Sequence, residues 1–337
     1  MNILVCYGTR PELIKIKPLL NAFKANDIWF KTLRVEQHTT LISDNEQDDY
    51  TVGVPNGFNR LDALLGTANN IPESVFKDVT HLLVQGDTAT AFVCAMAGFH
   101  RNIPVIHLEA GLRTYNTQNP YPEETYRQLI SRVASIHLCP TNENKHNLSG
   151  EGINNNVFVV GNTVLDNLID YRSKVVCGNE IIITLHRREN HSLIKEWFLE
   201  LDKLAVKYST YKFILPIHPN PNVQKHRDLL KNVEVIDPLP YKSFLEKLVC
   251  CGMIISDSGG IQEEASFLGK KLIVCRETTE RPESLNQTSF LCKSPKNLKA
   301  LFDRLIVDLS CEQSDVYGNG FSAKKIVEVI RKVKDGN

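Results

Sequence analysis

Short apolar runs recur along the chain at residues 3–6, 32–35, 81–84, 104–108, 136–139 and 157–160, and again at 181–185, 213–217, 233–236, 253–256 and 272–275. They are continuously apolar rather than alternating, which predicts strands buried on both faces. Helical patterning fills the intervals. Residues 88–99 are apolar nearly all round and predict a buried crossover helix. Strands of this kind separated by helices make parallel sheets covered on both sides, an α/β fold. The acidic, polar stretch 43–50 interrupts the pattern and predicts a loop.

The runs fall into two series that meet near residues 162–179, where 165–171 predicts a helix and 172–179 a polar linker. At 337 residues the chain exceeds what one core usually serves. Two Rossmann-like, doubly wound domains are expected, 1–165 and 166–337, facing each other across a cleft. A last helix at 323–333 can pack back on the first domain. Open α/β sheets place ligands beyond the carboxyl ends of their strands, so functional residues are expected there.

Charge narrows the function classes. Lys plus Arg number 39 and Asp plus Glu 39, so no global field recruits nucleic acid or an anionic membrane, and any phosphate site must be local. No apolar run reaches membrane-spanning length. The first residues read as a strand ending on a glycine rather than a secretory leader. Nine cysteines form no CxxC pair and no Cys/His cluster with zinc spacing, which predicts reduced, structural thiols in a cytoplasmic protein without a metal.

Charged motifs follow the strands. Gly8-Thr9-Arg10-Pro11-Glu12 and then Lys15 come after the first run; there Gly8 permits a tight turn, and two cations near a helix start suit phosphate. Neither a GxGxxG fingerprint nor a Walker A motif is present. Asp87, Glu109 and Glu123 follow later runs of the first half. Three acids gathered at one cleft mouth would raise one another's pKa and suit acid–base work, whereas any one alone reads more readily as a helix cap or a solvated acid. In the second half, His186-Arg187-Arg188-Glu189 suits a pyrophosphate. Ser258-Gly259-Gly260 at a strand-to-helix turn can cradle a diphosphate, with Glu264 placed to accept from ribose hydroxyls.

Taken in order, the motifs carry a resemblance. Gly8-Thr9-Arg10-Pro11-Glu12 with Lys15, Gly86-Asp87-Thr88, Glu109-Ala110-Gly111-Leu112-Arg113-Thr114, Pro122-Glu123-Glu124, Gly161-Asn162-Thr163, His186-Arg187-Arg188-Glu189, Ser258 to Glu264 and Thr278-Thr279-Glu280-Arg281-Pro282-Glu283 resemble the non-hydrolysing UDP-N-acetylglucosamine 2-epimerases of bacterial surface-polysaccharide pathways. The resemblance implies a GT-B architecture, a homodimer, and neither metal nor nicotinamide cofactor. It implies anti elimination of UDP from a UDP-2-acetamido sugar, UDP-GlcNAc first among them, and re-addition with C2 inverted to UDP-ManNAc. It implies an acid–base set of Asp87, Glu109 and Glu123, with His186 at the diphosphate. UDP would be held by Arg10, Ser258, Gly259, Gly260 and Glu264, with Lys15 and Arg113 among the substrate-binding cations and Phe244 against uracil. Gln37, His38 and His218 match positions that the resemblance associates with a second, allosteric UDP-sugar site. A GT-B glycosyltransferase, an epimerase of a related UDP-2-acetamido sugar and a non-catalytic UDP-sugar sensor are the competing readings.

Overall fold

A computed structural model describes residues 1–36, 48–54 and 60–335. The chain divides into two compact units, residues 1–166 with 320–337, and residues 167–319. In the first unit the strands are β1 (Ile3–Tyr7), β2 (Phe30–Glu36), β3 (Tyr50–Gly53), β4 (His81–Gln85), β5 (Val105–Leu108), β6 (Ile136–Cys139) and β7 (Val157–Val159). They form one sheet in the order β3-β2-β1-β4-β5-β6-β7, every neighbouring pair parallel. The second unit holds β8 (Glu180–Thr184), β9 (Lys212–Pro216), β10 (Glu234–Ile236), β11 (Met253–Ser256), β12 (Lys271–Val274) and β13 (Ser289–Leu291), in the order β10-β9-β8-β11-β12-β13 and again all parallel.

Continuous hydrophobicity has the expected consequence. Ile3, Val5 and Tyr7 of β1 pack into a core with Leu13, Ile16, Leu19 and Phe23 of helix Arg10–Ala25, while Leu4 and Cys6 face a second core with Ala91, Cys94 and Ala95 of helix Ala89–Phe99. Helix Ser322–Asp335 joins the first of these cores through Ala323, Ile326, Val327 and Ile330. The Asp166 carboxylate fixes its start by accepting from Ser322 N (3.0 Å) and Ala323 N (2.8 Å). In the second unit one core gathers β8, β9 and β11 with Trp197, Phe198 and Leu201 of helix Ile194–Lys207.

The elements differ from the sequence expectation in three places. Tyr50–Gly53, at the end of the polar stretch, is an edge strand on β2 in which Val52 alone is buried, too little apolar surface to mark it. Ser289–Leu291 is likewise a short edge strand, on β12. The helix expected at 165–171 is split into a 3-10 turn, Thr163–Asn167, and one turn of α-helix, Ile169–Arg172. All nine cysteines are free thiols, six of them buried. Among the described residues no helix is long and apolar enough to cross a membrane.

Strand order reverses direction between β1 and β4 in the first sheet and between β8 and β11 in the second. Loops leaving these four strands diverge, which opens a crevice at each switch point. Beside the first lie His107 of β5 and His137 of β6, paired in register and buried. Burial pushes both pKa values down to about 4, while His107 Nε2 lies 2.8 Å from Gly86 O. Both rings are therefore neutral in the fold and take up protons near pH 6.5 when the chain unfolds. Their contribution to stability is present above pH 6.5 and is lost as the pH falls towards 4, by at most about 3 kcal/mol each. Burial raises the Glu12 and Asp166 carboxyls, whose contributions run the opposite way. Urea unfolding of His137→Leu beside the parent chain isolates the histidine effect. The variant should lose less stability between pH 6.5 and 4.5, and parallel curves would contradict the assignment.

Candidate active site

The loop after β1 is shaped by close packing. A Cβ at Gly8 would stand 2.1 Å from Thr90 Oγ1 and 2.7 Å from Val35 O, so only glycine fits. Thr9 then caps helix Arg10–Ala25 in a capping box with Glu12. Glu12 is buried and accepts from Gly8 N (3.0 Å), Thr9 N (2.7 Å) and Thr88 Oγ1 (2.6 Å). Thr88 in turn caps helix Ala89–Phe99. One carboxylate thus ties the loop after β1 to the loop after β4. The side chain of Arg10, at the first helical position, makes no hydrogen bond or ion pair with a described residue.

The three acids differ in their surroundings. Glu109 follows β5 in a left-handed conformation (φ 67°), which costs energy in a non-glycine residue. Its side chain shows what holds it there: Lys15 Nζ lies 2.8 and 2.7 Å from its two oxygens, Asn162 Nδ2 donates at 2.9 Å, and Gln85 Nε2 also donates. Asp87 is one-quarter exposed and is gripped on Oδ2 by Arg127 Nε (2.7 Å) and Nη2 (2.6 Å). Glu123 opens helix Glu123–Val133 half-buried, and its side chain makes no hydrogen bond or ion pair with a described residue. That helix is set against helix Ala89–Phe99 by the stacked rings of Phe92 and Tyr126, 4.9 Å apart. Adjacent Glu124 is fully buried and accepts from Arg127 Nη1 (3.0 Å), Gln128 Nε2 (2.9 Å) and the amides of Thr114 (2.9 Å) and Tyr115 (3.1 Å).

At the second switch point, His186 and Arg187 follow β8, and Asp257 follows β11. Buried Asp257 Oδ2 accepts from His186 N (3.0 Å), Arg187 N (2.9 Å) and Asn190 Nδ2 (3.0 Å). The His186 ring stacks on His218, centroids 5.1 Å apart and planes 13° from parallel. Burial lowers the His186 pKa, and the Asp257 charge opposes that shift. Ser258 begins helix Gly259–Leu268 without a side-chain cap, and its hydroxyl donates to no described residue. The helix therefore presents first-turn amides not capped by any side chain, an anion-favouring end. A Cβ on Gly259 would stand 2.4 Å from Arg281 Nη1, whereas one on Gly260 would meet nothing nearer than 4.0 Å. The packed face of the turn thus belongs to Gly259 and the open face to Gly260. Glu264 is buried and accepts from Tyr241 OH (2.8 Å) at the start of helix Tyr241–Cys250, which carries half-buried Phe244 one turn later.

Below this turn runs a chain of charges, buried except at Glu189. Glu189 pairs with Arg276 (2.7 Å), Arg276 with Glu280 (2.7 Å), Glu280 with Arg281, and Arg281 with Glu263 (2.7 Å). Arg187 and Arg188 are left without a side-chain partner among the described residues.

Within the first unit, Arg10 lies on the loop after β1, Asp87 on the loop after β4, Glu109 after β5 and Glu123 at the start of its helix; Lys15 is brought onto Glu109 rather than left free for phosphate. In the second unit His186, His218, Ser258, Gly259, Gly260, Glu264 and Phe244 lie on elements flanking one switch point. Gln37 and His38 lie outside the described residues. One expectation is corrected. Arg113 does not face a ligand: its fully buried guanidinium is used up by Glu151 (2.6 and 3.1 Å), Ser131 Oγ (2.9 Å) and Leu112 O (2.8 Å). Glu109 and Asp87 each take a cation, Lys15 and Arg127. The sequence reading passed over Arg127, Asn162 as a ligand of Glu109, and Asp257. Arg127 carried one signal, its position four residues after Glu123 on a helix.

Two doubly wound units with charged loops at their switch points are the architecture of GT-B nucleotide-sugar enzymes. A family model described as UDP-N-acetylglucosamine 2-epimerase matches residues 58–331. The chain is 36% identical to the UDP-N-acetylglucosamine 2-epimerase of Neisseria meningitidis serogroup A over 98% of this chain and 100% of that protein. It is 35% identical to that of Campylobacter jejuni over 99% of this chain and 98% of the other. A crystal structure of a Neisseria meningitidis UDP-GlcNAc 2-epimerase bound to UDP-GlcNAc matches with a TM-score of 0.88 at 37% identity, covering 98% of this chain and 100% of that one. The chain belongs to the UDP-N-acetylglucosamine 2-epimerase family.

Arg127 holds a partly exposed carboxylate with one edge and a fully buried one with the other. Replacing it by Met leaves Glu124 charged and short of its cation, a loss of about 3–5 kcal/mol. Denaturant unfolding of Arg127→Met should show that loss, and an unchanged midpoint would mean that the pair does not hold the loop.

Proposed function

We propose that this chain inverts C2 of UDP-GlcNAc to give UDP-ManNAc by elimination and re-addition of UDP. The observation that carries the proposal is the graded setting of the three acids: Glu109 fully engaged, Asp87 held by one cation, Glu123 unengaged. The C2 proton of a sugar has no adjacent carbonyl to acidify it, so its removal must accompany cleavage of the C1–O bond. A carboxylate takes the proton while the departing diphosphate is stabilised electrostatically. The C–H and C–O electron pairs become the C1=C2 double bond of a 2-acetamidoglucal and the lone pair on UDP. Protonation of C2 from the opposite face and return of UDP to C1 complete the inversion.

In this reading the second unit holds UDP. Ser258, the amides after it and the His186-Arg187 turn take the diphosphate, Glu264 the ribose and Phe244 the uracil, with Arg10 of the first unit as a further cation. Glu123 and Asp87 exchange the proton, and Glu109, locked by Lys15 and Asn162, orients the sugar. A homodimer in the cytoplasm belongs to the same reading.

Incubation with UDP-GlcNAc in deuterated water, followed by proton NMR, tests the proposal. Deuterium at C2 and a UDP-ManNAc signal with little free UDP are expected. Stoichiometric UDP with free ManNAc would make the chain a hydrolase. A sample with no exchange would sink the reading.

A further inference from the structure

Asp257 is completely buried, yet its one ion-pair partner among the described residues is the His186 ring. A buried carboxylate without a cation persists only if its lone pairs are filled. Oδ2 is filled by the amides of His186 and Arg187 and by Asn190 Nδ2. Asn190 cannot turn away, because its Oδ1 accepts from Trp197 Nε1 (3.2 Å) and its Nδ2 also donates to Cys275 O (2.9 Å). Trp197 is itself embedded in the core. Asp257 is therefore placed by the core of the unit, and its Oδ1, shared with His186 N at 3.2 Å, faces His186 Nδ1 at 3.4 Å.

We infer that Asp257 is a positioning residue: it fixes the proton of His186 on Nδ1 and turns Nε2 towards the substrate, an inference resting on the function proposed above. A neutral imidazole carries its proton on either nitrogen, and the partner of one nitrogen decides the chemistry offered by the other. The stacked His218 ring restricts rotation from one side, and His191 Nε2 lies 3.2 Å from His186 O. The charged and titratable groups around the ring are Asp257, Arg187, His191 and His218, and Cys275 is the further such group beside Asp257. Of these, Asp257 alone is an acid facing the ring, its Oδ1 3.4 Å from Nδ1. The same residue leads directly into Ser258 and Gly259, so one buried side chain sets both turns that this reading gives to the diphosphate.

Long-range 15N–1H correlation on the whole protein labelled in its histidines reads the tautomer, with His186→Asn identifying the signal. Nδ1–H with a bare Nε2 is expected; the reverse tautomer would overturn the inference, whether or not the protein is active. In kinetics, Asp257→Asn should lower kcat for C2 inversion about 10–100-fold, the usual range for a group that acts through its neighbour. The same change in a His186→Asn background should cost less than about threefold, because the residue it serves is gone. Equal losses in both backgrounds would overturn it. Should Asp257→Asn fail to fold, the tautomer of the parent protein still decides. A parent protein that folds and shows the Nδ1–H tautomer yet never inverts C2 would count against the proposed function alone.

Discussion

A carboxylate can be buried only if nearly every lone pair on it is met, and the loops at both switch points are built around carboxylates that satisfy this condition. Glu12 joins the loops after β1 and β4 through three amide and hydroxyl donors. Glu109 is filled by a lysine and two amides, which compensates the left-handed backbone it imposes. Glu124 secures the Thr114-Tyr115 turn, and Asp257 secures the His186-Arg187 turn. Losing any one would leave its own buried donors unpaired, so each carboxylate and the loop it holds stand or fall together. The side chains not used in this way, Arg10, Glu123, Arg187 and Ser258, are then those with bonding capacity left for a ligand.

Much of this was legible in the sequence. Continuous apolar runs marked eleven of the strands, because a parallel strand covered on both faces has no polar alternation to blur it. Two of the four edge strands, β3 and β13, escaped; in β3 Val52 alone is buried. Motif positions were legible as well, since in a parallel sheet every loop leaving a strand's carboxyl end emerges on the functional side. What the sequence withheld was the direction of each side chain. Arg113 was expected at the substrate and Arg127 was passed over, yet the first is sealed against Glu151 and Ser131 and the second bridges Asp87 and Glu124. Glu151 lies 38 residues from Arg113 and Asp87 40 from Arg127, and spacing along the chain does not encode such contacts. Asp257 was overlooked for a related reason, since its neighbour Ser-Gly-Gly carries the recognisable pattern while Asp257 points back into the fold.

The electrostatic assignments have one logic. In the proposed reaction, cations and uncapped amides would serve a group that gains negative charge as the C1–O bond breaks, and carboxylates the proton that leaves C2. Neither half suffices: proton removal without departure of UDP would place a carbanion where nothing stabilises it. The coupling of the two events is therefore the centre of the account. Positional isotope exchange measures it directly, using UDP-GlcNAc with oxygen-18 in the bridge between C1 and the β-phosphorus. If C1–O cleavage accompanies proton loss, substrate recovered before equilibrium will carry the label scrambled into the non-bridging β-phosphate positions. Exchange of the C2 proton with the label still confined to the bridge would contradict the account.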